Sequence, residues 1–248
     1  MPQRLRFVRP LDRRRPGAYL LVLGALAATA AGCSRAAPAP VVPAGAQPVT
    51  PDQVASWVAP TTPEGHQIYR FKWLFQDERS SAGGSGSARL AGPDSLRFDV
   101  RGPLGAGAAA AFVVGDTAVW TDPEDIIQRL VPNFPLMWAM FGVARLPEPG
   151  RALQGAADGA TTVWQYVGAG DTLSYARTVG EKGRLVTEFR ERGKVVGRAE
   201  TALGPDGRPL TARLTVPSVP ARLDITFVSS SDTTAFPARV WRRPPPRQ

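Results

Sequence analysis

Five stretches of this chain alternate apolar and polar residues with a period of two. Tyr69, Phe71, Trp73 and Phe75 alternate with Arg70, Lys72 and Leu74, and Leu96, Phe98 and Val100 with Arg97 and Asp99. Leu185, Thr187 and Phe189 alternate with Val186, Glu188 and Arg190; Leu210, Ala212, Leu214 and Val216 with Thr211, Arg213 and Thr215; and Leu223, Ile225 and Phe227 with Arg222, Asp224 and Thr226. A period of two puts every second side chain on one face, so these stretches read as antiparallel strands with one apolar face and one wet face. The connectors Glu181-Lys182-Gly183, Arg192-Gly193-Lys194 and Gly204-Pro205-Asp206-Gly207 are hairpin-like. Successive strands joined by tight turns make a meander, and a long meander must curl or close to manage its edges.

Three places depart from this pattern. Asp52 to Val58, with Pro51 before it, reads as a short opening helix. Thr121-Asp122-Pro123-Glu124-Asp125 reads as a helix start, with a capping residue, a proline at the first helical position and two acids for the N-terminal dipole. Ile126, Ile127 and Leu130 would give it an apolar face. Pro132 and Pro135 interrupt, and an unusually apolar stretch runs from Phe134 to Gly142. The expected fold class is therefore mainly β with a few helices, a curved sheet covered by a helical plug. Much of the inner face would be close-packed core. The functional alternative is an apolar cavity covered by residues 132–141, with Met137, Trp138, Met140 and Phe141 on the cover and Phe98, Leu214 and Phe227 opposite. Met137 and Met140 would supply an adaptable lining for acyl chains.

The N-terminus carries a different message. Six arginines precede an apolar stretch from Ala18 to Ala28, and the small residues Thr29, Ala30, Ala31 and Gly32 lead to Cys33, the single cysteine. A basic region, a short apolar region and a small-residue cleavage site make a bacterial secretory signal over residues 1–32. The apolar run is well short of the roughly 20 residues of a spanning helix. The Ala-Ala-Gly-Cys ending resembles a lipobox, in which the cysteine is acylated and becomes the mature N-terminus. That resemblance implies a membrane anchor at Cys33 and a mature chain outside the cytoplasm, with palmitate-type acyl groups. Ser34 resembles the residue that lets lipoproteins proceed to the outer membrane. With its one thiol acylated, the chain has none left for a disulfide. Residues 33–50 are Ala/Pro-rich and read as a tether, 51–243 as one domain, and 244–248 as a disordered tail.

Charge and chemistry narrow the function. The formal charge is +9, but residues 1–32 hold six arginines against Asp12, which leaves +4 for the rest. That is a mildly basic surface, suited to an anionic membrane face and not to a nucleic-acid partner. His66 is the single histidine, so no multi-histidine metal site can be built, and beside the first strand it reads as a surface or strand-end residue. The glycines of Gly83-Gly84-Ser85-Gly86 lack the Lys-Ser/Thr that a phosphate loop needs and read as a flexible strand or bulge. Nothing calls for a cofactor or an enzyme.

A recognisable order then emerges. Leu96-Arg-Phe-Asp-Val-Arg-Gly-Pro-Leu-Gly105 is a strand ending in a turn; a strand from Ala108 to Val114, a Gly-Asp turn and a strand with Val119 and Trp120 follow. Next come the stretch from Thr121 to Leu130, the apolar segment ending near Phe141-Gly142, Leu146-Pro147, and a closing meander. Over residues 64–243 this resembles the LolA/LolB superfamily of lipoprotein carriers and receptors, and the anchor resembles its LolB-like branch. The resemblance implies an unclosed antiparallel barrel of about eleven strands, a helical lid and an apolar cavity for acyl chains. It implies a membrane-anchored protein that delivers lipoproteins or lipid to the outer membrane, with a periplasmic lipoprotein carrier as partner. In that family a leucine protruding from a strand–strand loop serves membrane delivery, and Leu104 falls at that position. An ordinary turn leucine, folded back on the sheet, is the other reading of Leu104. A non-transferring envelope lipoprotein, a sensor or assembly subunit on the same fold, is the other reading of the whole. Gly83 to Ser87 and the Ala/Gly-rich segment from Gly102 to Ala111 depart from the family's usual strands.

Overall fold

A computed structural model describes residues 41, 45–103, 107–123, 133–218 and 220–243. Thirteen strands form one antiparallel sheet. They are β1 (Gln47–Pro48), β2 (His66–Gln76), β3 (Ser81–Ala91), β4 (Ser95–Arg101), β5 (Ala108–Val114), β6 (Thr117–Asp122), β7 (Ala152–Asp158), β8 (Thr161–Val167), β9 (Asp171–Thr178), β10 (Arg184–Glu191), β11 (Lys194–Leu203), β12 (Pro209–Val216) and β13 (Ala221–Thr233). The spatial order is β1-β7-β8-β9-β10-β11-β12-β13-β2-β3-β4-β5-β6, so the chain builds two meanders and joins them at β13 and β2. Strands β1 and β6 end that order and do not pair with each other, which leaves the sheet unclosed. The count exceeds the eleven that the family resemblance implies. One additional strand is β1, formed where Gln47 and Pro48, at the end of the expected tether, pair with Gly155 and Gln154.

Two α-helices among the described residues lie on the inner face. Helix α1 (Pro51–Val58) forms where expected. The Gln53 amide donates to Thr50 Oγ1 at 3.2 Å, the Thr50 amide donates to Gln53 Oε1 at 2.9 Å, and proline fills the first turn. It buries Val54 and Val58, and Trp57 lies over Gly155, where an added Cβ would sit 2.6 Å from the indole. Helix α2 (Phe134–Met140) is buried from Leu136 to Met140 and packs on β10, β11 and β12. The helix expected from Thr121 lies, from residue 124 onward, outside the described residues; Thr121 and Asp122 themselves end β6. No helix among the described residues is long and apolar enough to cross a membrane.

The alternation holds for most inner positions: Tyr69, Phe71, Leu96, Phe98, Leu185, Ala212, Leu214, Leu223 and Ile225 are all buried. It fails at Leu210, which is 53% exposed, because the β11–β12 register shifts between Ala202 and Leu203 and turns that residue out. The outer face is also drier than expected over β10. Glu188 is 1% exposed, held between Arg190 at 2.7 Å and Arg198 at 3.4 Å. It belongs to a polar row that runs in register across the outer face, Gln154, Gln165, Ser174, Glu188, Arg198, Thr215, Arg222 and Gln76. Neighbours within the row satisfy one another, as in the 2.5 Å bond from Gln165 to Gln154.

Candidate functional site

The row of aromatic side chains on the inner face of β2 meets an unusual partner. Phe71 stands opposite Gly86 of β3, and Trp73 opposite Gly84. A Cβ on Gly86 would lie 2.4 Å from Phe71 Cε2, and one on Gly84 would lie 1.9 Å from the Arg101 carbonyl oxygen. The Gly/Ser run is therefore a regular strand whose missing side chains let large rings lie across it. Trp73 uses that space: its Nε1 donates to the carbonyls of Ser85 and Arg101, both at 3.2 Å, so the indole reaches across β3 to β4.

Above this floor sits α2. Between floor and helix is a hollow lined by Phe71, Trp73, Phe98, Val100, Leu223, Ile225, Met137, Met140 and Phe141, with wholly apolar walls. Its free volume is about 40 Å³. That is far below the roughly 300–1,000 Å³ of ligand pockets, so an acyl chain needs α2 to move. Tyr69, Phe71, Phe141 and Phe227 form a ring cluster at its edge, with centroids 5.6 to 6.3 Å apart.

The helix is fastened at its C-terminal end. Thr201 Oγ1, fully buried on β11, donates to the Ala139 carbonyl at 2.7 Å. Gly142 adopts φ +79°, which closes the helix with bonds from Phe141 and Gly142 to the last turn. The following residues are fixed too: the Ala144 amide donates to Thr61 Oγ1 at 3.0 Å, the Arg145 amide donates to Tyr175 Oη at 3.2 Å, and Tyr166 Oη donates to the Arg145 carbonyl at 2.8 Å. Burial pushes the phenols of Tyr166 and Tyr175 well above the usual range, and that of Tyr69 up to about 12. At the N-terminal end Asn133 makes no side-chain cap bond, and its Oδ1 is buried without a partner among the described residues. Burial also raises the carboxyl of Asp116, whose partner Arg145 lies 3.6 Å away.

Of the residues proposed from sequence, Phe98, Met137, Met140 and Phe141 line the hollow. Phe227 stands beside it, 5.8 Å from Phe141. Leu214 is buried on β12 but does not border it. Trp138 turns elsewhere: its Nε1 donates to the Gly115 carbonyl at 2.8 Å, and the Arg145 guanidinium lies 5.0 Å from its ring. Cys33 and Leu104 lie outside the described residues. Sequence reasoning passed over Phe71, Trp73, Val100, Leu223 and Ile225. Their alternation marked them as inner-face residues, but nothing local says which part of that face α2 leaves unfilled. No group of three or more His, Cys, Asp or Glu side chains comes together among the described residues.

No protein-family model matches the chain, and no curated protein matches it in sequence. Solved structures do match. A domain from Vibrio parahaemolyticus described as an outer membrane lipoprotein-sorting protein superposes with a TM-score of 0.50 at 11% identity, over 76% of this chain and 94% of that one. A LolA superfamily protein from Nitrosomonas europaea gives a TM-score of 0.50 at 11% identity, over 79% and 98%. At this identity the likeness establishes the fold.

Proposed function

From its LolA/LolB-like lipoprotein-carrier fold, we propose that the chain is a lipid-anchored envelope lipoprotein that takes acyl chains under α2 and delivers lipoprotein or lipid to the outer membrane. The observation that carries the reading is the wholly apolar hollow between a glycine-floored sheet and a methionine-bearing helix. Such walls offer an acyl chain burial without polar cost, and Met137 and Met140 can re-pack around it. In this reading Cys33 carries the acyl anchor, Leu104 biases delivery into the membrane, and a periplasmic carrier supplies the cargo. Binding rather than catalysis is the activity.

The small volume favours a second reading, a non-transferring envelope lipoprotein whose core is simply filled. One substitution separates the two. Val100 lines the hollow and is only partly buried. If the hollow opens, Val100→Phe blocks uptake of a fluorescent long-chain fatty acid with a small change in melting temperature. If it is close-packed core, the wild type takes up no fatty acid and Val100→Phe costs about 1–3 kcal/mol by overpacking. Mass spectrometry of lipid retained through purification gives an independent check.

A further inference from the structure

The outer face of the sheet treats charge differently on its two halves. Over β10–β13 every arginine has an acid beside it: Arg184 with Glu200, Arg190 and Arg198 with Glu188, and Arg213 and Arg222 with Asp224. Over β2–β5 the outer face is an open groove of about 700 Å³. Its floor is small: Ser85 and Ser87 of β3, Ala108 and Ala110 of β5. Its two carboxylates are already taken. Asp99 is bridged by Arg89 at 2.8 Å and Arg97 at 2.7 Å, and Arg243 lies 3.9 Å from Asp122. Arg97 is further held by the carbonyls of Val240 and Arg242.

That leaves Arg70, Lys72 and Arg101, all exposed and none with an ion-pair or hydrogen-bond partner for its side-chain cation among the described residues. Arg70 and Lys72 share one face of β2. Lys72 stands opposite Ser85, which stands opposite Arg101. At ~4.8 Å between neighbouring strands the backbones of Lys72 and Arg101 lie about 10 Å apart along that row, with Arg70 two residues from Lys72 along β2. Val228, turned out by the register shift in β13 and 63% exposed, stands at the rim.

We infer that this outer face of β2–β4 docks on an anionic lipid bilayer, with Arg70, Lys72 and Arg101 taking headgroup phosphates. The charges sit on long flexible stems around a wide floor. Among the described residues lining the groove, no buried unpaired side-chain donor is placed to hold a single small anion. A surface that presents many phosphates suits that arrangement, and each cation near it strengthens attachment roughly fivefold. Phe71 and Val100 border both this groove and the apolar hollow, so one layer of sheet separates them. Docking here sets the orientation of the domain on the membrane whether or not the hollow takes acyl chains.

The test uses the acylated full chain in vesicles, with a fluorophore on Val228→Cys and a nitroxide quencher on the lipid headgroups. A second label on Val179→Cys, 48% exposed beyond β9, reports a distant surface. Position 228 should be quenched several-fold more in vesicles containing phosphatidylglycerol than in phosphatidylcholine alone, and position 179 should not. The triple variant Arg70→Gln, Lys72→Gln, Arg101→Gln should lower the docked-to-free ratio on the order of 100-fold and abolish the difference. A charge-matched variant, Lys182→Gln, Arg192→Gln, Lys194→Gln, should keep it. Equal loss in both variants, equal quenching at both positions, or displacement by millimolar inorganic phosphate at constant ionic strength would overturn the proposal. Labelling at two sites would show Cys33 free, a failure of the anchor and not of the docking face, and fatty-acid uptake by the triple variant reports the hollow separately.

Discussion

Thr201 and Thr187 sit on the inner faces of neighbouring strands, both fully buried, and only one has a use for its hydroxyl. Thr201 Oγ1 donates to the Ala139 carbonyl at 2.7 Å and ties α2 to β11. Thr187 Oγ1 has no hydrogen-bond partner among the described residues. Replacing each by valine keeps the shape and removes the hydroxyl. At Thr201 the loss is one net hydrogen bond, about 0.5–1.5 kcal/mol. The Ala139 carbonyl is not orphaned, because the Gly142 amide still donates to it at 2.9 Å, so about 1 kcal/mol is the expected figure. In a domain of this size that lowers the melting temperature by about 2–4 °C. At Thr187 the change removes a buried, unpaired polar group and should be neutral or stabilising. The two melts should therefore move apart. If displacement of α2 gates uptake, the same 1 kcal/mol in Thr201→Val should speed or strengthen fatty-acid uptake about fivefold, while Thr187→Val leaves it unchanged. Equal melting behaviour of the two variants would refute the bond's role in stability. A lower melt in Thr201→Val with unchanged uptake would refute the gate.

Three further outcomes follow from particular contacts. Gly86→Ala drives a Cβ to 2.4 Å from the Phe71 ring and should cost about 1–3 kcal/mol in a denaturant melt, whereas Gly170→Ala, with nothing within 4 Å, should stay within about 0.5 kcal/mol. Burial raises Tyr69 to about 12 and raises Tyr166 and Tyr175 as well. The native state then holds protons that the unfolded chain releases near pH 10, so this stability is complete below ~10 and is lost as pH rises through the folded values; Tyr69→Phe should flatten the fall between pH 10 and 12 in an alkaline melt. Leu104→Glu, on the reading that Leu104 serves delivery, should leave the melting temperature nearly unchanged and slow lipid release into liposomes; a large drop in the melt, or unchanged transfer, would remove that role.

What the sequence made legible was what repeats along it. Period two located β2, β4, β10, β12 and β13, and Pro51 ahead of Asp52 to Val58 located α1, because a strand face and a proline-led helix start are local patterns. The hollow was only half legible. Met137, Met140 and Phe141 announced themselves as large soft side chains on one short helix. Trp138, in the same helix, points to Gly115 instead, because adjacent helical positions diverge by about 100°. The Gly/Ser run looked like slack and is the floor, since the rings that need those glycines come from the next strand. Leu210 left the inner face through a register shift and Glu188 was buried by a cross-strand ion pair, both of which depend on the pairing with β11 and not on the residue's own strand.

The filled hollow makes a quantitative demand on any acyl ligand. To admit one, α2 must part from the sheet and give up the contacts of Met137, Met140 and Phe141, each at most 5% exposed. Re-exposing such side chains costs about 1.5–3 kcal/mol apiece, so about 7 kcal/mol together is the centre. An incoming chain returns about 0.8 kcal/mol for each buried CH₂. The two sides balance at about nine methylenes, before the entropy of binding is counted. Short fatty acids should therefore leave α2 in place and bind negligibly. Saturated chains well beyond that length should bind, with affinity rising steeply for each added pair of carbons until the hollow is spanned. Titration of the purified chain with a homologous series of fatty acids reads this directly. A threshold in chain length supports a hinged cover that opens only for long acyl groups. Affinity that rises from the shortest members without a threshold would mean that the ligand sits on an exposed surface and that α2 never moves; no binding at any length would leave the filled core of the second reading.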